Sequence, residues 1–167
     1  MKLHSKYLAL LDHAKREGIA DVDSLHLCFE VLSLADAIDR DCADRLAPYG
    51  LSEGKFVVFV LLKDATDGLS PFEIAEQAGV TRATVTGLLD GLERQGYITR
   101  RGMKDDGRRL VVRLTPRGKD VGNKLSVAHT EWIASLFSRL SPAQRRSFRL
   151  AIQDIGSATS AKKRTAS

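Results

Sequence analysis

The residues from Ile98 to Gly118 have side chains suited to contact with a polyanion. Seven of them are Arg or Lys, and two adjacent aspartates, Asp105 and Asp106, stand in their middle. An arginine that becomes ordered against a partner loses up to ~2 kcal/mol of rotamer entropy. Asp106 precedes Arg108 by two residues, a spacing that lets the carboxylate hold the guanidinium in place beforehand. The alternative is that both aspartates only form a turn, a common role of Asp-Asp-Gly.

A β-hairpin is predicted to carry these charges. The stretches YITRR and RRLVVRLT have the composition of two strands, and polar, glycine-containing residues lie between them. Alternation along the second strand separates an apolar face from a more basic one, namely Leu110, Val112 and Leu114 from Arg109, Val111 and Arg113.

Two short helices joined by a tight turn are predicted before the hairpin. Ser70 can cap the first helix, with Pro71 in its first turn, and Thr81 can cap the second. A helix-turn-helix needs a small residue at the crossing and a turn residue that accepts positive φ, which Ala75 and Gly79 supply. The apolar residues expected to join the two helices are Ile74, Ala78, Val80, Val85 and Leu88. The alternative is an αα-hairpin that binds no ligand.

The second of these helices has an outward face of small and polar residues. At ~100° per residue, this face holds Ala83, Thr86, Gly87, Asp90 and Arg94, flanked by Arg82, Thr84 and Gly91. Each glycine costs ~1 kcal/mol of helix propensity relative to alanine, but small residues let a helix enter a DNA major groove about 12 Å wide. Arg82, near the N-terminus of this helix, can donate two hydrogen bonds to guanine. The helix N-terminus also favours a phosphate. This face predicts double-stranded DNA as the partner.

The hairpin would complete a winged helix-turn-helix. A wing arginine can enter the minor groove, where the potential is most negative in narrow A·T tracts. Arg108 is predicted to do so, with Asp106 aiming it. The predicted DNA contacts are Ser70, Thr81, Arg82, Ala83, Thr84, Thr86, Gly87, Asp90, Arg94, Arg100, Lys104, Asp106, Arg108 and Arg109.

The distribution of charge along the chain supports a polyanionic partner. The net charge is +5, but Glu17 to Glu53 holds nine acidic and two basic residues, whereas Arg94 to Lys119 holds nine basic and two acidic. From Arg139 to the end there are seven basic residues and one acidic. Such asymmetry is typical of nucleic-acid binding, and the alternative is a solvated basic face. No apolar run reaches the ~18 residues of a membrane span and no signal peptide opens the chain, so we expect a cytoplasmic protein without membrane contact.

The predicted fold class is mainly α with a small β-hairpin wing, a winged helix-turn-helix joined to a helical dimerisation region. Residues 1–23 form a helical extension, 51–116 the DNA-binding domain and 157–167 a disordered basic tail. Long helices with apolar stripes are predicted over residues 24–50 and 117–156. The stripe of the first helix consists of Cys28, Val31, Leu32, Ala35, Ile38, Cys42 and Leu46. A monomer would expose these stripes, so a C2 homodimer is expected.

From about Leu25 to Ile155 the sequence resembles the MarR family of winged-helix transcription regulators. The resemblance rests on SPFEIAEQAGVTRATVTGLLDGLERQGYITRR, on the wing motif DDGRR and on LTPRG before the next helix. It implies a homodimer whose first and last helices interlock, bound to pseudo-palindromic DNA, usually as a repressor. It also implies that Arg108 is the minor-groove arginine, Asp106 its partner, and Arg82 to Gly87 the base-reading segment.

The resemblance further implies a small effector, typically an aromatic carboxylate or phenol. Candidate pocket residues are His26, Phe29, Phe56, Phe59 and Trp132, each of which can equally be a core residue. Cys28 matches the reactive cysteine of the hydroperoxide-sensing branch, which suggests a thiol-based sensor as an alternative. In that branch tyrosines hydrogen-bond the sulfur, whereas Leu32, Cys42 and Glu53 occupy the matching positions here.

Other classes of function have less support. The sequence has no Gly-rich phosphate loop, no nucleophile elbow and no metal-ligand spacing among its four histidines and two cysteines. We therefore expect neither an enzyme, nor a cofactor, nor a bound metal. A winged-helix module that binds another protein is the remaining alternative.

Overall fold

The computed structural model describes residues 3–102 and 110–164, and the chain divides into two units, Met1–Lys119 and Asp120–Ser167. The elements in order are α1 (Ser5–Arg16), α2 (Val22–Leu46), a 3₁₀ turn (Ala47–Tyr49), α3 (Glu53–Asp64), α4 (Pro71–Ala78), α5 (Arg82–Arg94), β1 (Ile98–Gly102), β2 (Leu110–Leu114), α6 (Pro116–Leu136) and α7 (Pro142–Arg164). The predicted fold class, mainly α with a hairpin wing after a helix-turn-helix, is confirmed. Within the described ranges, no helix is long and apolar enough to cross a membrane.

Helix α3 forms the centre of the first unit. Four of its apolar side chains are buried, Phe56, Val58, Phe59 and Leu62. α2, α4, α5 and β2 all pack against it. The Phe59 ring also meets the ring of Tyr97 edge-on, with centroids 5.2 Å apart. A helix that is apolar nearly all round is expected to lie in the core.

The two strands pair in antiparallel register, from Ile98 opposite Leu114 to Gly102 opposite Leu110. A short bridge from Leu69 to Val112 adds the loop before α4 to the same sheet. Ile98, Val112 and Leu114 are buried, so the predicted apolar face of the hairpin packs inward. The tip between the strands, residues 103–109, lies outside the described residues.

Side-chain caps define where the helices begin. Ser70 and Glu73 form a full capping box at α4, in which the Ser70 amide donates to Glu73 Oε2 at 2.7 Å. Thr81 Oγ1 accepts from the Thr84 amide at α5, and Thr115 Oγ1 accepts from the Gly118 amide at α6. Ser141 and Gln144 exchange hydrogen bonds at α7. The residue types at these starts are those that satisfy free amides at helix N-termini, and the caps of α4 and α5 were predicted from the sequence.

Helix α2 has two apolar faces. The face buried within the chain includes Phe29 and Ser33, followed by Cys42 and Leu46. α1 packs on α2, and the ring of Tyr7 stacks on that of Phe29 with centroids 4.6 Å apart. The other face carries most of the stripe predicted from the sequence, and it is exposed.

Helix α7 extends beyond its predicted end. It passes through Gly156 and continues to Arg164, where a disordered basic tail was expected from residue 157. The Ser, Ala, Lys and Arg residues after Gly156 have adequate helix propensity, and only proline would forbid the helix outright. Within the predicted helical region 117–156, α6 ends at Leu136 and α7 begins at Pro142.

Candidate nucleic-acid interface

A sharp turn sets the position of α5 against α4. Gly79 adopts φ 65°, a left-handed conformation that glycine takes without a Cβ penalty. Its amide donates to Glu76 O at 3.2 Å, and the amide of Val80 donates to Ala75 O at 3.1 Å. Val80 was expected to join the two helices, but it is 39% exposed. Ile74 and Val85, also expected to join the helices, are buried, and Leu89 and Leu92 complete the inner face of α5.

The outward face of α5 carries mostly small side chains. Its N-terminal half exposes Arg82, Ala83, Thr84, Thr86 and Gly87. A Cβ added at Gly87 would meet no atom of the described residues within 4 Å, so the space above this residue is open. The hydroxyls lie close to the helix, since Thr86 Oγ1 donates to Arg82 O at 3.0 Å and Thr84 Oγ1 lies 2.8 Å from Thr81 Oγ1. A polyanion can therefore approach the helix closely along this face.

An aromatic ring holds Arg82 at the start of α5. The guanidinium carbon lies 4.7 Å from the centroid of the Phe72 ring, in cation–π geometry. Phe72 is 46% exposed although it is large and apolar. Phe72 was not among the residues predicted to contact DNA. This contact restricts the rotamers of Arg82 before any partner arrives.

The wing is joined to α5 by a network around Arg100. This β1 side chain is 23% exposed, and its Nη2 lies 2.7 Å from Asp90 Oδ1 and 2.5 Å from Glu93 Oε2. The amide of Arg100 also donates to Glu93 Oε1 at 3.2 Å. The hydrogen bonds from Arg100 hold the pKa of Glu93 below its ordinary value, and the two carboxylates raise the pKa of Arg100.

This network changes the interpretation of two predicted DNA contacts. Asp90 and Arg100 are engaged with each other, so their direct contact with DNA stays a prediction. Glu93 was not predicted as a site residue, because only the fold brings it near Arg100. Arg94 is exposed on the same side of α5, and its Nε donates to Asp90 O at 3.3 Å.

The outer face of the hairpin carries positive charge. Thr99, Arg101, Val111 and Arg113 line a cleft of about 560 Å³ there. Arg113 Nε donates to Asp67 O at 3.0 Å. Arg101 was absent from the predicted contacts. Four that were predicted, Lys104, Asp106, Arg108 and Arg109, lie outside the described residues.

The predicted effector residues have protein partners. His26 is exposed, with Nδ1 3.8 Å from Glu30 Oε1. Phe29 stacks on Tyr7 and Phe59 packs against Tyr97, so both rings are core residues. Phe56 is also buried. Trp132 is buried, and its ring meets that of His129 at a centroid distance of 5.1 Å.

The two cysteines differ in their surroundings. Cys28 is exposed and Cys42 is buried, and burial raises the pKa of the Cys42 thiol. A thiol with a raised pKa is a weak nucleophile, so of the two only Cys28 suits a sensor. Within the described residues, no cluster of His, Cys, Asp and Glu could hold a metal ion.

Comparison with known proteins places this geometry in a family context. A family model described as "MarR family" matches residues 49–109. The chain is 35% identical over 144 residues to the HTH-type transcriptional repressor YetL of Bacillus subtilis, with 86% of each chain covered. It is 33% identical over 103 residues to the HTH-type transcriptional regulator SarZ of Staphylococcus epidermidis, covering 62% of this chain and 69% of that protein.

Among solved structures, the S. aureus MepR–DNA complex shares the fold. It matches with a TM-score of 0.67 at 22% identity, covering 78% of this chain and 96% of that chain. The relatives are named as transcription regulators rather than enzymes, in agreement with the expectation from the sequence.

The Arg100 network predicts a specific dependence of stability on pH. Because the pKa of Glu93 is lowered in the folded chain, its stabilisation is complete above the ordinary carboxyl pKa and is lost as the pH falls through the folded value. Glu93→Gln should therefore reduce the free energy of unfolding by about 0.2–1 kcal/mol at neutral pH, with a smaller difference from wild type in acid. Urea unfolding over a pH series measures this. Glu76→Gln, an exposed carboxylate of α4, is the control, and a pH-independent effect of Glu93→Gln would contradict the assignment.

Proposed function

This chain belongs to the MarR family of transcriptional regulators, and on that premise we propose that it is a homodimeric repressor, which a small aromatic or phenolic effector releases from a pseudo-palindromic operator. One observation carries the DNA-binding part, namely the open, small-residue face of α5 with Arg82 held at its start. The solved complex of the relative MepR with DNA supports the same reading.

In this proposal the N-terminal half of α5 reads bases in the major groove. Arg82 lies where it can donate to a guanine, and Ala83, Thr84, Thr86 and Gly87 form the surface that meets the groove floor. Ser70 and Thr81 lie at the starts of α4 and α5, where free amides favour phosphates. Arg94 and the wing residues Lys104 and Arg109 are assigned to the backbone, and Arg108 to the minor groove.

Exposed apolar faces support the homodimer. On α2 they include Leu27, Val31, Leu32 and Leu34. On α6 and α7 they are Val127, Ile133, Leu136, Phe137, Phe148, Leu150, Ile152 and Ile155. Isolated exposed apolar residues are ordinary, but repeated ones along long helices mark an association surface. We assign dimerisation to residues 24–50 and 117–156, with DNA binding in 51–116 and residues 1–23 as an extension that packs on α2.

Gly87→Leu separates the binding role of α5 from its role in folding. Because the space above Gly87 is open and leucine is a better helix former, the free energy of unfolding should rise by about 0.5–1 kcal/mol. The same bulk would meet the groove floor, so affinity for a duplex selected by the wild-type chain should fall by about tenfold or more, roughly the loss from one mismatched base pair. Urea unfolding and fluorescence anisotropy measure the two effects.

Three results would contradict this part of the proposal. One is a stabilised Gly87→Leu variant that retains full affinity for DNA. The second is a wild-type chain that sediments as a monomer. The third is wild-type affinity that does not weaken between about 50 and 200 mM salt, since phosphate-driven binding must do so; a protein-binding module need show no affinity for duplex DNA at all.

Substitution of the wing aspartates tests the proposal through the direction in which affinity for DNA changes. Asp106→Ala makes the wing more positive, yet it should weaken operator binding because Arg108 loses the carboxylate that aims it. Arg108→Ala should abolish binding at physiological salt. Asp105→Ala is the matched control, since Asp105 is assigned only to the turn. Anisotropy titrations compare the three variants, and tighter binding by Asp106→Ala would show that the wing acts as a plain basic hairpin.

Of the predicted effector residues, His26 is the exposed one, and effector recognition is assigned to it, with Cys28 as the alternative sensor. Salicylate should release the protein from DNA, and His26→Ala should require a higher concentration because an exposed imidazole can bind the carboxylate. Cys28→Ser should respond like the wild type. Release by cumene hydroperoxide that Cys28→Ser prevents would instead support the thiol-based sensor.

A further inference from the structure

The turn between α2 and α3 is bound by Gln95, which follows α5, by Lys55 of α3 and by Tyr97, which precedes β1. Gly50 O accepts from Gln95 Nε2 at 2.7 Å and from Lys55 Nζ at 3.2 Å. Lys55 Nζ also donates to Gln95 Oε1 at 3.3 Å, which closes a ring of three groups. The preceding carbonyl, Tyr49 O, accepts from Tyr97 Oη at 3.1 Å. The carbonyls of Tyr49 and Gly50 are thus bound by the side chains of Tyr97, Gln95 and Lys55.

Three glycines permit this close approach. A Cβ on Gly50 would lie 2.3 Å from Gln95 Nε2, and Gly50 also has φ 66°. A Cβ on Gly91 would lie 2.8 Å from Lys55 Cε, and one on Gly54 3.2 Å from Leu88 Cδ2. Gly91 is therefore buried beneath Lys55, and the sequence-based view of it as part of the outward flank of α5 is wrong. Its small size serves the packing of α5 against α3.

This contact lies at the end of α5 opposite to its base-reading residues. α5 has 13 residues, a length of about 20 Å. A rotation of about 10° around its C-terminal end would move its N-terminal end by about 3.4 Å, which is one base-pair step. The turn itself is fixed to the core by Leu46 and Leu51, both buried. The contact thus fixes the angle between α5 and α2.

We infer that Lys55 and Gln95, bound around Gly50 O, are positioning residues that set the spacing of the two DNA half-sites. The inference rests on the proposed function, since α2 must dimerise and α5 must read DNA for their angle to become a distance along the duplex. In such a dimer the half-sites lie about one helical turn apart. Neither residue needs to touch DNA to select that spacing.

Two variants test the inference. Gln95→Leu removes the side-chain amide, with its nitrogen and its oxygen, and hence two of the three hydrogen bonds of the ring. Gly91→Ala leaves all three bonding groups in the chain but displaces the flexible end of Lys55, while alanine favours the helix. Thermal unfolding should therefore show Gly91→Ala folded and at least as stable as the wild type. Gln77→Leu, an exposed glutamine of α4, is the matched control.

The probes are duplexes that the wild-type chain selects from a random-sequence pool, remade with the half-sites one or two base pairs closer or further apart. A duplex with a single half-site is included. The wild type and Gln77→Leu should prefer the selected spacing by about tenfold or more, and Gln95→Leu and Gly91→Ala should keep a preference of only about threefold or less. Affinity of these variants for the single half-site should stay within about twofold of the wild type.

If both variants retained the wild-type spacing preference, this inference would be overturned while the proposed function would stand. An equal loss of affinity for the single half-site and for the full site would do the same, because it would show damage to α5 itself. A wild-type chain that selects no duplex, or that sediments as a monomer, would instead overturn the proposed function together with this inference.

Discussion

Burial of α3 is the constraint on which the winged domain depends. Phe59 and its apolar neighbours on α3 leave almost no polar face, so every adjoining element must cover part of it. α2 covers one part of it, while α4, α5 and β2 cover other parts. Because interiors are close-packed, a shift of α3 would move the recognition helix and the wing together.

Most local features of this fold follow from local chemistry, which is why the sequence predicted them. The caps at Ser70, Thr81 and Thr115 and the left-handed Gly79 are decided by residues within a few positions. Leu110, Val112 and Leu114 alternate along β2, although only the inner two are buried. The outward face of α5 was also predictable, since its composition contradicts what a surface helix ordinarily needs.

Features that depend on distant residues were not predictable in the same way. Glu93 and Arg100 are seven residues apart but lie on different elements, and only the docked hairpin brings them together. Lys55 and Gln95 are separated by 40 residues. The sequence predicted one apolar stripe on α2. In the structure α1 packs on α2 at Phe29, which lies outside that stripe, and most of the stripe is exposed. Helical periodicity identifies apolar positions but does not say which of two partners covers them.

Gly87 and Gly91 lie one turn apart on α5, but of the two only Gly87 has open space for a larger side chain. Substitution at Gly91 displaces Lys55, so that position is tied to the rest of the domain. Among the described residues, none lies above Gly87, and Ala83 is likewise exposed. Under the proposed function, new side chains at these two positions alter the DNA sequence that is read without a penalty in folding. Duplicated copies of such a gene would then diverge in operator preference while their fold stays intact.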